Sequence, residues 1–178
     1  MSTALALPSH VHVHAHEAPL VVVLAGEPRG KGRHRSQLVT RGERSFIHNH
    51  PDPKTEAYES HLKVAAQAVM VGRPLMAGPL VVAVWAHMGI PASWSGRRRA
   101  QALAGQLVPT KKPDFDNLAK VCDALNKVVW IDDAQIVRGF VEKVFSDRPR
   151  LVVRVEPWTA PPAGGAQAET LLALGRAA

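Results

Sequence analysis

Residues Lys111–Ile136 read KKPDFDNLAKVCDALNKVVWIDDAQI, with five aspartates: Asp114, Asp116, Asp123, Asp132 and Asp133. Leu118, Val121, Cys122 and Leu125 recur at i, i+3, i+4 and i+7, which predicts an amphipathic helix from about Asn117 to Lys127. Asp116 stands where its N-cap belongs. Asp116, Lys120, Asp123 and Lys127 share the opposite face. Helical side chains lean toward the N-terminus, so Lys120 is expected to reach back toward Asp114 and Asp116. Asp132 and Asp133 follow a break at Asn126-Lys127 and precede a strand. A helix-to-strand return is expected to bring that pair beside Asp114 and Asp116.

The rest of the chain supplies a frame for this helix. Upstream, Pro19 to Ala25 (PLVVVLA) and Leu80 to His87 (LVVAVWAH) are apolar, β-branched runs that read as buried strands. Between them, Gly26 to His50 is an Arg-rich loop or irregular hairpin. Asp52-Pro53 then opens a helix whose apolar stripe is Tyr58, Leu62, Ala65 and Val69, closed by Gly72 and Pro74. Ser93 or Ser95 caps a short helix, SGRRRAQALAG, that stops at Gly105. Residues 106–113 form a connector. Downstream, Ile136 to Phe145 and Leu151 to Val155 read as two strands, the second alternating cleanly. The expected architecture is α+β: a small mixed sheet packed by about three helices, over residues 19–156. Residues 1–18 form a loose arm and 157–178 a Pro, Gly and Ala rich tail.

A chain of 178 residues with net charge +7 points to one domain with a polyanionic partner. One cysteine, Cys122, excludes an intrachain disulfide and suits a reducing, cytoplasmic setting. No apolar run is long enough to span a bilayer.

Acid concentrated in one segment of a basic chain has a chemical reading. In extended chain, Asp114 and Asp116 point to one side, roughly 6–7 Å apart at the backbone. Three or four converging carboxylates repel one another and resist ionising together. A hard divalent cation resolves the conflict, and Mg²⁺ is typically held by a few carboxylates plus phosphate oxygens. A lysine beside it stabilises charge in phosphodiester cleavage. The plainer readings are that Asp116 is a cap, that Asp123 pairs with Lys120 or Lys127, and that Asp132-Asp133 is a turn.

The ordered run KPDFDNLAKVCDALNKVVWIDDAQIV resembles the signature of the RusA-type Holliday junction resolvases, and the likeness extends from about Leu20 to Glu156. It takes in the early Lys/Arg loop and the segment PASWS, Pro91 to Ser95, before a basic helix. The resemblance implies a homodimeric, Mg²⁺-dependent endodeoxyribonuclease of bacterial or phage origin that nicks four-way DNA junctions symmetrically, with Mn²⁺ as an alternative ion. It assigns the metal-binding carboxylates to Asp114, Asp116 and Asp133, with Asp132 second, and the catalytic lysine to Lys120. Two positions depart from the family pattern. Lys127 stands where a glycine is common, and Lys31-Gly32-Arg33-His34-Arg35 lacks a proline. A non-catalytic branched-DNA-binding protein is the alternative. A metal-dependent sugar or phosphate transferase using Asp-x-Asp is weaker, since no glycine-rich loop follows a strand.

Arg29, Lys31, Arg33, Arg35, Arg41 and Arg44 on the early loop, with Arg97, Arg98, Lys111 and Lys112, are the candidate DNA-backbone contacts. Arg97, Arg98 and Arg99 begin a helix, where cations oppose the dipole, so a reason outside the helix is expected. His10, His12, His14 and His16 alternate but read as adventitious metal binders. Trp94 and Trp130 read as core or interface anchors and Cys122 as buried and inert.

Overall fold

The structure is a computed structural model; it describes residues 18–160 apart from 33, 34, 43 and 51. The arm with its four alternating histidines and most of the tail lie outside the described residues. Six strands and three α-helices follow one another: β1 (Leu20–Ala25), β2 (Arg35–Arg41), β3 (Arg44–His50), α1 (Pro53–Val69), β4 (Leu80–Gly89), α2 (Gly96–Leu103), α3 (Phe115–Lys120), β5 (Ile136–Ser146) and β6 (Arg150–Pro157). Two 3-10 helices, Val121–Leu125 and Asp133–Gln135, fall between α3 and β5.

Four strands form one sheet in the order β1-β6-β4-β5, and β2 pairs with β3 in a separate hairpin. The neighbours β1/β6 and β6/β4 are antiparallel, while β4 and β5 are parallel. The sheet is therefore mixed and the α+β expectation holds. Central β4 is buried along Leu80 to Met88, as its nearly continuous apolar sequence, broken at His87, requires. Its even positions, Leu80, Val82, Val84, Ala86 and Met88, join Leu20, Val22, Leu151, Val153 and Val155 in the main core. Tyr58, Leu62 and Ala66 of α1 and Leu118 of α3 close that core from the same face. Trp85, Ala83 and Val152 point to the other face.

Local chemistry sets the helix ends. Asp52 caps α1, its carboxylate accepting the Thr55 N–H at 3.2 Å. Burial on α1 follows Tyr58, Leu62 and Ala66, so Val69 turns out to be exposed. Of the two serines, Ser95 is the cap of α2. The third helix differs from its expectation in two ways. Its N-cap is Asp114 and not Asp116, since the Asp114 carbonyl accepts the Leu118 N–H. It also tightens to 3-10 winding after Lys120. The pairs Leu118/Val121 and Cys122/Leu125 are three apart, a spacing that both windings place on one face, and all four stay buried. Trp130 is fully buried and its indole N–H donates to Asn126. Among the described residues no helix is long and apolar enough to cross a membrane.

Because β4 and β5 run parallel, the chain leaving one end of β4 must re-enter at the other end of the sheet. The segment from α3 to Trp130 makes that descent. Its first residues lie by Met88, and its last bridges Met76, just before β4 begins.

Lys127 has φ 61°, and its N–H donates to the Trp130 carbonyl at 2.7 Å. The turn keeps a left-handed residue where a side chain is disfavoured by about 1–2 kcal/mol. Lys127→Gly is expected to stabilise the fold by about 1 kcal/mol, raising Tm by roughly 2–4 °C in a thermal melt.

Candidate active site

The loop after β1 is built into the fold. Gly26 N–H donates to the Pro149 carbonyl at 2.9 Å, and Lys31 N–H to the Asn117 carbonyl at 2.8 Å. Gly32 N–H donates to Thr55 Oγ1 at 3.0 Å. Glu27 accepts the Gly89 N–H at the end of β4. Gly30 is needed for close approach, because a Cβ there would lie 2.8 Å from Asn117 Cβ and 3.0 Å from Pro113 Cβ. The loop and the start of α3 enclose an open cleft of about 750 Å³, with Arg29, Lys31, Lys112, Asp114 and Asn117 on its walls. Sequence periodicity gives no hint that residues 26–32 and 112–117 share one cleft.

Asp114 stands at the N-cap in extended backbone, but its side chain makes no capping bond. Asp116, in the first turn, accepts from Lys120 Nζ at 3.0 Å. Hydrogen bonding to Lys120 holds its carboxyl below the ordinary value of 3.8. Lys120 thus reaches back as expected. The helix axis also favours negative charge at this end.

Two residues behave differently from their sequence reading. Asp123 pairs with neither Lys120 nor Lys127: Lys31 Nζ reaches it at 2.9 Å and Glu59 at 3.5 Å. The bond to Asp123 is the main reason the Lys31 pKa is raised above 10.5. One cation from the early loop therefore bridges an acidic pair from α1 and the 3-10 helix, offsetting one of its two charges. On α2, Arg98 lies 4.1 Å over the Trp94 ring, and that ring meets Phe145 edge-on at 5.1 Å. This cation–π contact is a reason within the protein for a cation at a helix start. Arg97, Lys111 and Lys112 are exposed. Arg33 lies outside the described residues, as do the side chains of Arg35, Arg41 and Arg44. Burial pushes the Cys122 thiol up to about 12, so it is no nucleophile.

Sequence reading missed Lys143. From β5 its ammonium donates to the carbonyls of Lys111 at 2.9 Å and Pro113 at 3.1 Å, fixing the approach to Asp114. Lys143 follows Glu142 in a strand that also holds Arg138, so no apolar run singled it out in the sequence.

The Asp132-Asp133 pair lies elsewhere. Asp132 caps the second 3-10 helix in a capping box with Gln135. Gln135 Nε2 donates to the Met76 and Gly78 carbonyls, at the start of β4, and Ile136 pairs with Leu80. Asp114, in contrast, follows Pro113, which Lys143 holds level with Ala86. From Leu80 to Ala86 is six residues of strand, about 20 Å. Within one chain the expected meeting of Asp133 with Asp114 and Asp116 does not occur, because the helical descent carries them to opposite ends of the sheet. Consistently, no three His, Cys, Asp or Glu side chains among the described residues are grouped to hold a metal ion.

Fold and site together define a small α+β domain with a cation-walled cleft ending in exposed carboxylates. A family model described as endodeoxyribonuclease RusA matches residues 25–156. A Bacillus subtilis (strain 168) relative, the uncharacterized protein YqaN, is 31% identical over 140 residues, covering 76% of this chain and 94% of its own. The chain belongs to the RusA endodeoxyribonuclease family.

Two outcomes test this geometry. Lys120→Met is expected to return the Asp116 carboxyl toward 3.8 in an NMR titration. The native carboxylate stays charged to lower pH, so its pairing stabilises the fold above pH 3.8 and that contribution is lost as pH falls through the depressed value. Gly30→Ala is expected to force Asn117 and the loop apart at a cost of about 1–3 kcal/mol in denaturant melts.

Proposed function

We propose that the protein resolves four-way DNA junctions by paired nicks, and that each active site is assembled from two copies of the chain. Asp114 and Asp116 come from one copy and Asp133 from the other. The observation carrying this reading is that Gln135 anchors the Asp132-Asp133 turn ahead of Leu80, while Lys143, opposite Ala86 further along β4, holds the approach to Asp114. One chain cannot close that gap without unpacking Leu118, Val121, Cys122, Leu125 and Trp130 from the core. A two-fold dimer supplies the missing carboxylate twice, once for each of two symmetric cuts.

The donor set is carboxylate oxygen throughout, which fits a hard divalent ion, Mg²⁺ or in its place Mn²⁺. Bound there, the ion supplies positive charge to the phosphodiester and its leaving oxygen. Lys120, 3.0 Å from Asp116, adds a second positive charge beside these carboxylates. Arg29 and Lys112 on the cleft walls hold the backbone without reading sequence. Lys31 reaches the same cleft with its charge already shared by Asp123 and Glu59. Water adds to phosphorus and the bond from phosphorus to the 3′ oxygen breaks. The products are a 5′-phosphate and a 3′-hydroxyl.

Junction nicking with Mg²⁺ is expected to fall about 10²-fold or more in Asp116→Asn and in Asp133→Asn, the scale for losing one charge-stabilising group. A heterodimer of the two variants, isolated by two affinity tags, is the decisive case. A composite site leaves one of its two sites wholly native, so single-strand nicking returns. Each chain carrying its own complete site would leave the heterodimer as inactive as its parents. Tight junction binding in EDTA with no nicking by the native protein would favour the non-catalytic alternative.

A further inference from the structure

We infer that a cavity on the far face of the sheet, beneath the end of α2, takes up one unpaired nucleobase of the DNA strand; this rests on the reading of branched DNA as substrate. The cavity holds about 550 Å³ and is separate from the cleft at Asp114. That volume lies within the range of about 300–1,000 Å³ typical of small-molecule sites. Its floor is the sheet face that carries Trp85, opposite the main core. There His87 of β4 lies across from Arg150 of β6 and Val144 of β5, and Glu142 occupies the next row, opposite Trp85. Leu103, Leu107 and Val108, from the end of α2 and the connector, form the facing wall.

His87 is the observation that points to a ligand. It is 5% exposed, it lines the cavity, and its Nε2 has no hydrogen-bond partner among the described residues. A buried polar atom without a partner costs about 1–3 kcal/mol, so a partner from outside the fold is expected. Burial, with the positive charge of Arg150 acting in the same direction, lowers the His87 pKa below 6.5. The ring is therefore neutral at pH 7, and a neutral imidazole can either donate or accept.

The surroundings select the chemistry of that ligand. An anion would meet Glu142 and the carbonyl end of α2, where negative charge is disfavoured. Arg150 already donates to Ser146 Oγ at 3.4 Å and to the Arg148 carbonyl at 3.1 Å. A cation would meet Arg148 and Arg150. A wholly apolar molecule would leave His87 Nε2 unpaired. A neutral planar ring with apolar faces and hydrogen-bonding groups along one edge suits every wall, and that describes a nucleobase. Leu103 and Val108 are 54% and 62% exposed, so they offer the ring aliphatic surface at the mouth. Exposed Arg148 stands beside them for the attached phosphate.

The connector ties this cavity to the candidate active site. Val108 lies in the cavity, and Lys143, on the core face opposite Ala86, holds the Lys111 and Pro113 carbonyls, so the chain rounds the edge of β5 between them. Lys112 then stands on the cleft wall. The four residues from Val108 to Lys112 span at most about 14 Å, or about four stacked nucleotides of one strand. The captured base therefore belongs to a nucleotide within about four positions of the cleaved bond. Extrusion costs least where pairing is already broken, as at a branch point.

The test uses the full-length protein in EDTA with four-way junctions carrying 2-aminopurine, which brightens on leaving the base stack, at successive positions on either side of the mapped nick. Fluorescence is expected to rise about threefold or more at one position within about four nucleotides of the nick. Val108→Trp fills the mouth and His87→Phe removes the polar edge. Both are expected to abolish the rise and to weaken junction binding about tenfold, the scale for losing one stacked base, with circular dichroism unchanged. A rise that survives Val108→Trp, or no rise at any position, would overturn the inference. Titration with the four free deoxynucleoside monophosphates separates the sources: micromolar binding of one of them without brightening of any junction would likewise overturn the strand-borne base. Nicking is read separately with Mg²⁺. Nicking by the native protein without brightening removes the nucleobase site alone, and brightening without nicking removes catalysis alone.

Discussion

The parallel pairing of β4 with β5 is the constraint from which the rest follows. A parallel neighbour obliges the connecting chain to travel the length of the sheet before it can re-enter. Here that journey is made by α3 and the 3-10 helix after it, with Leu118, Val121, Cys122 and Leu125 locked against β4. Acid placed before and after such a span is held apart by the core itself. Loosening the span enough to join Asp114 with Asp133 would expose four buried apolar side chains, at about 1.5–3 kcal/mol for each large one. That exceeds what most domains of this size can lose. Uniting the two ends through a second copy, as proposed, leaves that core packed.

The charges divide between structure and chemistry along the same line. Lys31 lies in a 2.9 Å ion pair with Asp123. The pair ties the loop after β1 to the middle of the descent, and Gly30 and the Lys31 N–H fix the loop against Asn117. Lys143 spends its ammonium on two carbonyls ahead of Asp114. Lys120 is different. It and Asp116, at the last and first turns of α3, are both more than half exposed, and their pairing leaves the carboxylate accessible. Exposed ion pairs add little to stability, so the carboxylate's place two residues from Asp114 is the better account of this one.

Much of the fold was legible in the sequence, because hydrophobic period and caps are local properties. The runs at Leu20 and Leu80, the Asp52-Pro53 helix start and the alternation from Leu151 all correspond to elements in the structure. The i, i+3 pairs on either side of Val121 survive a change of winding that the sequence does not announce. Non-local facts were not legible. Periodicity could not show that Asp123 finds Lys31 ninety-two positions upstream, nor that Lys143 props the loop before Asp114. It placed Asp132 and Asp133 at a helix-to-strand return correctly but could not give the direction of β5 relative to β4. That direction decides whether the return brings the acids together or separates them. The motif identified the residues, and the strand polarity set their distance.

The most direct measurement is an anomalous difference map from crystals of the native protein grown with Mn²⁺ and a junction. The account predicts one strong peak at each α3 N-terminus, ligated by Asp114 and Asp116 of one chain and by Asp133 of another. A manganese ion held by the carboxylates of a single chain, with Asp133 of the second copy remote from it, would contradict it.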